Sequence, residues 1–231
     1  MKRFYERAEA QAVEGGWQVK LDGRAVKTQG GRAQVVHSQR LGEAMAAEWA
    51  AQGNKIDPKG FVLRDLVDHA IDNVAPDPGA TVDRLLRYAE TDTLCYRADP
   101  EDALFKRQQE VWEPLVAALE AREGIRLERV SGVVARPPSD DTIEALRRRL
   151  AALPPLELAA VDMMASLAAS LCIALTALDD EADADRLWDA AELEESWQVD
   201  LWGKDVEAEE RRAERRANFR QAFEFARLAR R

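Results

Sequence analysis

From Met163 to Leu178 the chain runs for 16 residues without a charge, bracketed by Asp162 and Asp179. A run of this kind has to be buried. It is shorter than the roughly 20 apolar residues that span a bilayer, so the rest of the chain must cover it. A helix that is apolar on all sides is wrapped by other helices. The segment 157–178 therefore reads as the central helix of a helical domain, and no membrane insertion is expected.

The first forty residues follow a different period. Trp17-Gln18-Val19-Lys20-Leu21 alternates apolar and polar, the pattern of a half-buried strand. Asp22-Gly23 supplies the positive φ of a tight hairpin, with a return strand over Arg24 to Thr28. Gly30-Gly31 breaks the chain, and Ala33 to His37 reads as a third strand. Gly15-Gly16 belongs to the same set of turns.

Beyond His37 the period becomes helical. Ser38 is placed to cap a helix with Leu41, Met45 and Trp49 on one face, ending at Gly53-Asn54. Leu63, Leu66, Val67, Ala70, Ile71 and Val74 form the next stripe. Pro76-Asp77-Pro78-Gly79 is the strongest break and the best hinge candidate. Val82, Leu85, Leu86 and Ala89 mark a further helix. Leu104, Val111, Leu115 and Leu119 mark a longer one that could bend at Pro114. Ile125 to Val130 reads as a strand or extended segment. Pro137 to Asp141 announces a helix carrying Ile143, Leu146, Leu150 and Leu153. After the central helix comes an acidic amphipathic helix with Leu187, Trp188, Ala191, Val199 and Trp202. The final stretch, from Asp205 to Arg231, mixes signs at the i,i+4 spacing of an exposed helix, as in Glu207 with Arg211. The fold class is thus α+β. The expected division is a β domain with flanking helices over 1–75 and a helical domain over 76–231.

Charge narrows the class of partner. The 231 residues carry a net charge of −10, and phosphate backbones repel such a chain, so no nucleic-acid partner is expected. Asp179 to Asp200 holds ten carboxylates against one base, Arg186, and should attract a basic surface. The basic block around Arg211 and Arg215 is largely cancelled by Glu207, Glu209, Glu210 and Glu214.

Catalytic chemistry is hard to assemble from these residues. His69 with Asp65 or Asp72 has metal-ligand spacing, but zinc needs three or four ligands and a solvated polar face is the simpler reading. A Cys95–His69 nucleophilic pair lacks any sign of an activated thiolate. Cys95 and Cys172 both sit among apolar neighbours and read as small buried hydrophobes of a reducing compartment. The sequence contains no phosphate-binding glycine loop and no nucleophile elbow. No cofactor, metal or catalytic residue is expected. The carboxylates around Glu192, Glu194 and Glu195 form either a solvated helix face or, with Trp188, Trp197 and Trp202 nearby, a recognition surface.

Several short patterns occur in a fixed order: Arg3-Phe4-Tyr5, Leu21-Asp22-Gly23-Arg24 with Val26-Lys27-Thr28, and Glu48-Trp49 with Gln52, Ile56 and Pro58. Then come Thr91-Asp92-Thr93-Leu94-Cys95-Tyr96-Arg97, Gln108-Gln109 with Trp112 and Pro114, and Leu193-Glu194-Glu195-Ser196-Trp197-Gln198 with Trp202-Gly203. Together they span nearly the whole chain and resemble the F1-ATPase assembly chaperone family, in the branch that escorts the ATP synthase alpha subunit. The resemblance implies a non-enzymatic protein with a small N-terminal β domain and a larger helical domain. Such a protein binds the unassembled alpha subunit and shields its beta-contacting surface until beta displaces the chaperone. It implies a functional acidic position at Glu194, with Glu195 beside it; Trp197, Gln198 and Trp202, in the same acidic stretch, are the further expected partner-binding residues. Trp49, Asp92 and Tyr96 lie in family motifs as structural or partner-binding residues. Gly60 to Arg64 departs from the family's Met-Pro-Leu-Thr, and His69 stands where Thr is expected. A start at the Arg-Phe-Tyr pattern with Ala/Arg-rich usage suits a bacterial, cytoplasmic protein, monomeric when free. The alternatives are a general protein-binding adaptor and, further off, a carboxylate-based enzyme.

Overall fold

The computed structural model describes residues 1–132, 136–203 and 205–230. A small N-terminal antiparallel sheet is followed by a larger helical region, as expected. Strand β1 (Ala8–Val13) pairs with β2 (Gly16–Leu21) from Ala8 opposite Leu21 to Val13 opposite Gly16. Strand β3 (Arg24–Ala25) returns along β2 through Asp22-Gly23, whose φ angles are both positive at 48° and 81°. Asp22 tolerates this because its carboxylate accepts the N–H groups of Glu6 at 3.1 Å and Arg7 at 2.9 Å. Strand β4 (Val35–Val36) pairs with the other end of β2. Strands β3 and β4 are thus shorter than the alternation predicts, and β1 is an addition to it. Ala8-Glu9-Ala10-Gln11-Ala12 carries only alanine on its apolar side, too weak a pattern to stand out.

Helix α1 (Gln39–Ala50) begins where the sequence predicts, with the Ser38 hydroxyl accepting the Leu41 N–H at 3.3 Å. Leu41, Met45 and Trp49 are buried, and the helix packs on β1 and β2. Gly42 makes this possible, since a Cβ there would lie 3.0 Å from the Trp17 side chain. Helix α2 (Val62–His69) runs on into a π-helical turn over Ala70–Val74.

Two compact units are present. The first comprises Met1–Pro78, Pro154–Ala160 and the residues from Glu224 onward; the second comprises Gly79–Leu153 and Val161–Phe223. The helical region continues with α3 (Pro78–Glu90), β5 (Tyr96–Arg97) and α4 (Ala103–Glu123). Strand β6 (Val130–Ser131) pairs with β5 in parallel. Then come α5 (Asp140–Ala151), α6 (Pro155–Ala168) and α7 (Leu171–Thr176). The last helices are α8 (Ala184–Ala191), α9 (Leu193–Trp202) and α10 (Val206–Ala229). Ser139 caps α5 by accepting the Thr142 N–H at 3.3 Å, with Asp140 and Asp141 in the first turn.

Four expectations are corrected. The apolar segment is not one helix: it breaks at Ala169, φ +48°, between α6 and α7. The cause is Asp92, whose carboxylate accepts the Ser170 hydroxyl at 2.7 Å and the Cys172 N–H at 2.8 Å and so captures the start of α7. Secondly, α4 continues through Pro114 and buries Gln108, Trp112, Val116 and Leu119, while Val111 and Leu115 stay half-exposed. Trp112 anchors this orientation by donating its indole N–H to the Ala190 carbonyl at 2.7 Å. Thirdly, the acidic helix is two helices, α8 and α9. Finally, the last helix is not exposed on all sides: Glu207 pairs with Arg211 at 3.7 Å in its exposed first turns, but Phe219, Ala222, Phe223, Phe225 and Ala226 further along are buried. Arg231 lies outside the described residues.

Cys95 and Cys172 are free and buried. Burial pushes the Cys95 thiol up to about 12 and that of Cys172 well above its ordinary value, so neither is a nucleophile at neutral pH. Among the described residues no helix is long and apolar enough to cross a membrane.

Candidate functional site

The residues singled out near the C-terminus share one short helix. Helix α9 begins with Leu193 buried and carries Glu194, Glu195, Trp197, Gln198 and Trp202. Its start is held by α4 and α10. Gln108, itself fully buried on α4, donates its amide to the Glu194 carboxylate at 2.6 Å. Glu192, 4% exposed, pairs with Arg212 at 2.9 Å and Arg215 at 3.6 Å. Arg212 also donates to the Ser196 hydroxyl at 2.9 Å. The start of α9 is therefore rigid, and its exposed side chains project from a fixed base.

Burial pushes the Glu194 carboxyl above its ordinary value and the Glu195 charge adds to this, while the Gln108 amide pulls the other way. Gln108 is tied in turn: its side-chain oxygen accepts the Ala98 N–H at 2.8 Å, and its backbone carbonyl accepts from Arg97 at 3.0 Å. Arg97 is buried, paired with Glu113 at 3.2 Å and set over the Trp112 ring. Glu113 also meets Arg129 at 2.7 Å, and Arg129 reaches Glu120 at 2.5 Å. The acidic position thus ends a polar chain that crosses the second unit.

The far end of α9 is different. Leu201 is 60% exposed, Trp202 79% and Val206, just beyond, 73%. Apart from Met1 and Phe4, these are the exposed large hydrophobic residues among those described. Glu195 and Gln198 are exposed on the same helix, and Trp197 is half-buried. An exposed apolar tip beside carboxylates has the composition common at protein-contact surfaces, since side chains of this size gain by leaving water.

The remaining candidates lie elsewhere. Asp92, 1% exposed, is held by Ser170, Cys172 and Leu94 and faces no solvent. Tyr96 is half-buried on β5, its hydroxyl donating to the Glu90 carbonyl at 3.4 Å. Trp49, in the first unit, is buried against Tyr5 and Phe61 at ring distances of 5.5 and 4.4 Å. Its carbonyl accepts the Tyr5 hydroxyl at 2.6 Å. That contact joins two of the quoted patterns, Arg3-Phe4-Tyr5 and Glu48-Trp49. Asp65 and Asp72 turn to Arg64 and Arg32 and not to His69, which meets Asn73 at 3.1 Å. Among the described residues no group of three or more His, Cys, Asp or Glu could hold a metal ion. Sequence reasoning grouped Glu192 with the solvated or recognition carboxylates and missed both its burial and the role of Gln108. A Glu at 192 looks like its exposed neighbours until Arg212 and Arg215 fold back onto it.

The same fold occurs in the crystal structure of Atp12 from Paracoccus denitrificans. That chain is 33% identical, with 99% of this chain and 98% of the other covered and a TM-score of 0.95. This chain is therefore built as a chaperone. A family model described as ATP12 chaperone protein matches residues 2–120, half of the chain, and the protein belongs to that family. Two further relatives are mitochondrial proteins. Protein atp12 of Schizosaccharomyces pombe is 24% identical over 221 residues, covering 90% of this chain and 76% of that one. Protein ATP12 of Saccharomyces cerevisiae is 24% identical over 229 residues, covering 80% and 70%.

Proposed function

We propose that this chaperone binds the unassembled alpha subunit of the F1 ATP synthase and covers the surface that later meets beta, until beta takes its place. The observation that carries the reading is the exposed apolar tip of α9, Leu201 and Trp202 with Val206 beside it, projecting from a base fixed by Gln108 and Glu192. Glu194, Glu195, Trp197, Gln198 and Trp202 supply the contact surface, with carboxylates set to meet donors of the client. The protein works by passive binding and not as an enzyme, in a bacterial cytoplasm. Release comes from competition by the next subunit.

Co-expression with the alpha subunit of the same organism, followed by gel filtration with and without beta, tests this. A one-to-one complex that beta dissolves supports the reading. Alpha that stays unbound or aggregates overturns it, and capture of many unrelated proteins with equal affinity points to a general adaptor instead.

A further inference from the structure

Beside α9 the second unit holds a groove of about 910 Å³. One wall is α4, through Arg107, Glu110, Val111, Pro114 and Leu115. These residues fall at the i, i+3, i+4, i+7, i+8 spacing of a single helical face. The other wall is α9, through Leu193, Ser196, Trp197 and Asp200, again at i, i+3, i+4, i+7. Leu187 and Ala190 of α8 also line it. Two helix faces with this periodicity are the ridges against which a further helix packs. This groove explains why Val111 and Leu115 read as core in the sequence and yet are left half-exposed.

The groove is strongly charged. Seven carboxylates line it against two arginines, Arg107 and Arg186. Some are already engaged: Asp179 with Arg122, Asp189 with Arg216 at 3.3 Å, and Glu110 with Arg107 at 3.3 Å. Glu181 and Asp200 make no ion pair among the described residues, and both are exposed. The α4 wall adds one more acceptor. Pro114 has no N–H, so the Glu110 carbonyl lacks its i+4 donor. Apolar side chains inside a ring of carboxylates favour a partner that is apolar on one face and cationic at its flanks.

We infer that this groove receives a cationic amphipathic helix of the client, with leucine-like side chains on Val111, Leu115 and Trp197, and lysine or arginine against Glu181, Asp200 and the Glu110 carbonyl. The inference deepens the proposed client binding and rests on it for the identity of the client. The chemistry of the groove stands on its own. Apolar burial holds such a helix and the carboxylates select its sign and speed its arrival.

The test uses the full chain and two probes. A fluorescently labelled 14-residue peptide of leucine and lysine, with leucine at i, i+3, i+4 and i+7, is titrated by anisotropy; its mirror has every lysine replaced by glutamate. The lysine peptide binds and the glutamate peptide does not. The double variant Glu181→Lys with Asp200→Lys weakens the lysine peptide at least tenfold, as does Leu115→Asp, with circular dichroism unchanged. Equal binding of the lysine peptide to wild type and both variants overturns the inference. The second probe is the alpha subunit. A photo-reactive benzoylphenylalanine at position 115 should cross-link to a lysine- or arginine-bearing helical segment of alpha, and one at exposed position 121 of the same helix should not. Cross-links to an acidic segment, to a second copy of this chain, or from 121 alone overturn the groove assignment while alpha binding still stands. Binding of the lysine peptide without any alpha complex would instead overturn the proposed client and leave the groove intact.

Discussion

Gln108 donates its amide to the Glu194 carboxylate across 2.6 Å, joining residues 86 positions apart and fastening α9 to α4. The bond gives Glu194 a structural duty beside any part in client binding. Burial raises its carboxyl above the ordinary value, so the ionised form is less favourable in the folded chain than in the unfolded one. Stability tied to this group is present in acid and declines as pH rises through its folded-state value. Glu194→Gln keeps an oxygen for Gln108 and removes the charge. The variant should be at least as stable as wild type at about pH 7, with the difference vanishing below about pH 4. Urea unfolding across that range checks this, and a variant clearly weaker at neutral pH would contradict it.

Asp92 fixes the break between α6 and α7, so its loss should be felt through the whole second unit. Asp92→Ala strands the donors of Ser170, Cys172 and Leu94 in the interior and should cost about 3–5 kcal/mol. Asp92→Asn keeps one acceptor oxygen and should cost less. Burial dominates the Asp92 carboxyl and pushes it up. The advantage of wild type over Asp92→Asn should therefore grow as pH falls through the acid range. Denaturant midpoints at several pH values measure both effects.

Trp49 packs between Tyr5 and Phe61, and its indole N–H has no partner. Trp49→Ala should cost about 3–5 kcal/mol. Trp49→Phe breaks no side-chain hydrogen bond and should be milder, about 1–2 kcal/mol for the lost volume. Thermal unfolding of both variants separates a packing duty from a client contact: a stable Trp49→Ala chain that fails to bind alpha would reverse the assignment.

Trp202, at 79% exposed, contributes little to the fold. Trp202→Ser should shift stability by less than about 0.5 kcal/mol and weaken the alpha complex at least about tenfold, as expected for an aromatic anchor. Melting curves and titration of labelled alpha give the two numbers. Loss of stability without loss of binding is the opposite result.

Local signals account for what was legible beforehand. Ser38 caps α1 where the sequence predicts, and α5 starts within the predicted Pro137 to Asp141 segment, capped by Ser139, because a cap needs only a side chain and an N–H three residues on. Asp22-Gly23 turns β2 into β3 for the same local reason. The α9 residues could be grouped because they are neighbours in sequence and share one helix.

What the sequence by itself determined is therefore the order of sheet and helices, the capped starts, the sharp turn and the apolar character of 163–178. Tertiary structure alone decided the rest. Asp92 breaks the apolar segment from 78 residues away through Ser170. Trp112, bonded to the Ala190 carbonyl, sets which face of α4 is buried and so leaves Val111 and Leu115 to line a groove. Arg212 folds onto Glu192 and makes one carboxylate of an acidic run interior while Glu195 stays in water. Each of these depends on a hydrogen bond or ion pair between residues distant in the chain. Such a bond leaves no period in the sequence, because its strength depends on a low-dielectric surrounding that exists only once the chain has folded.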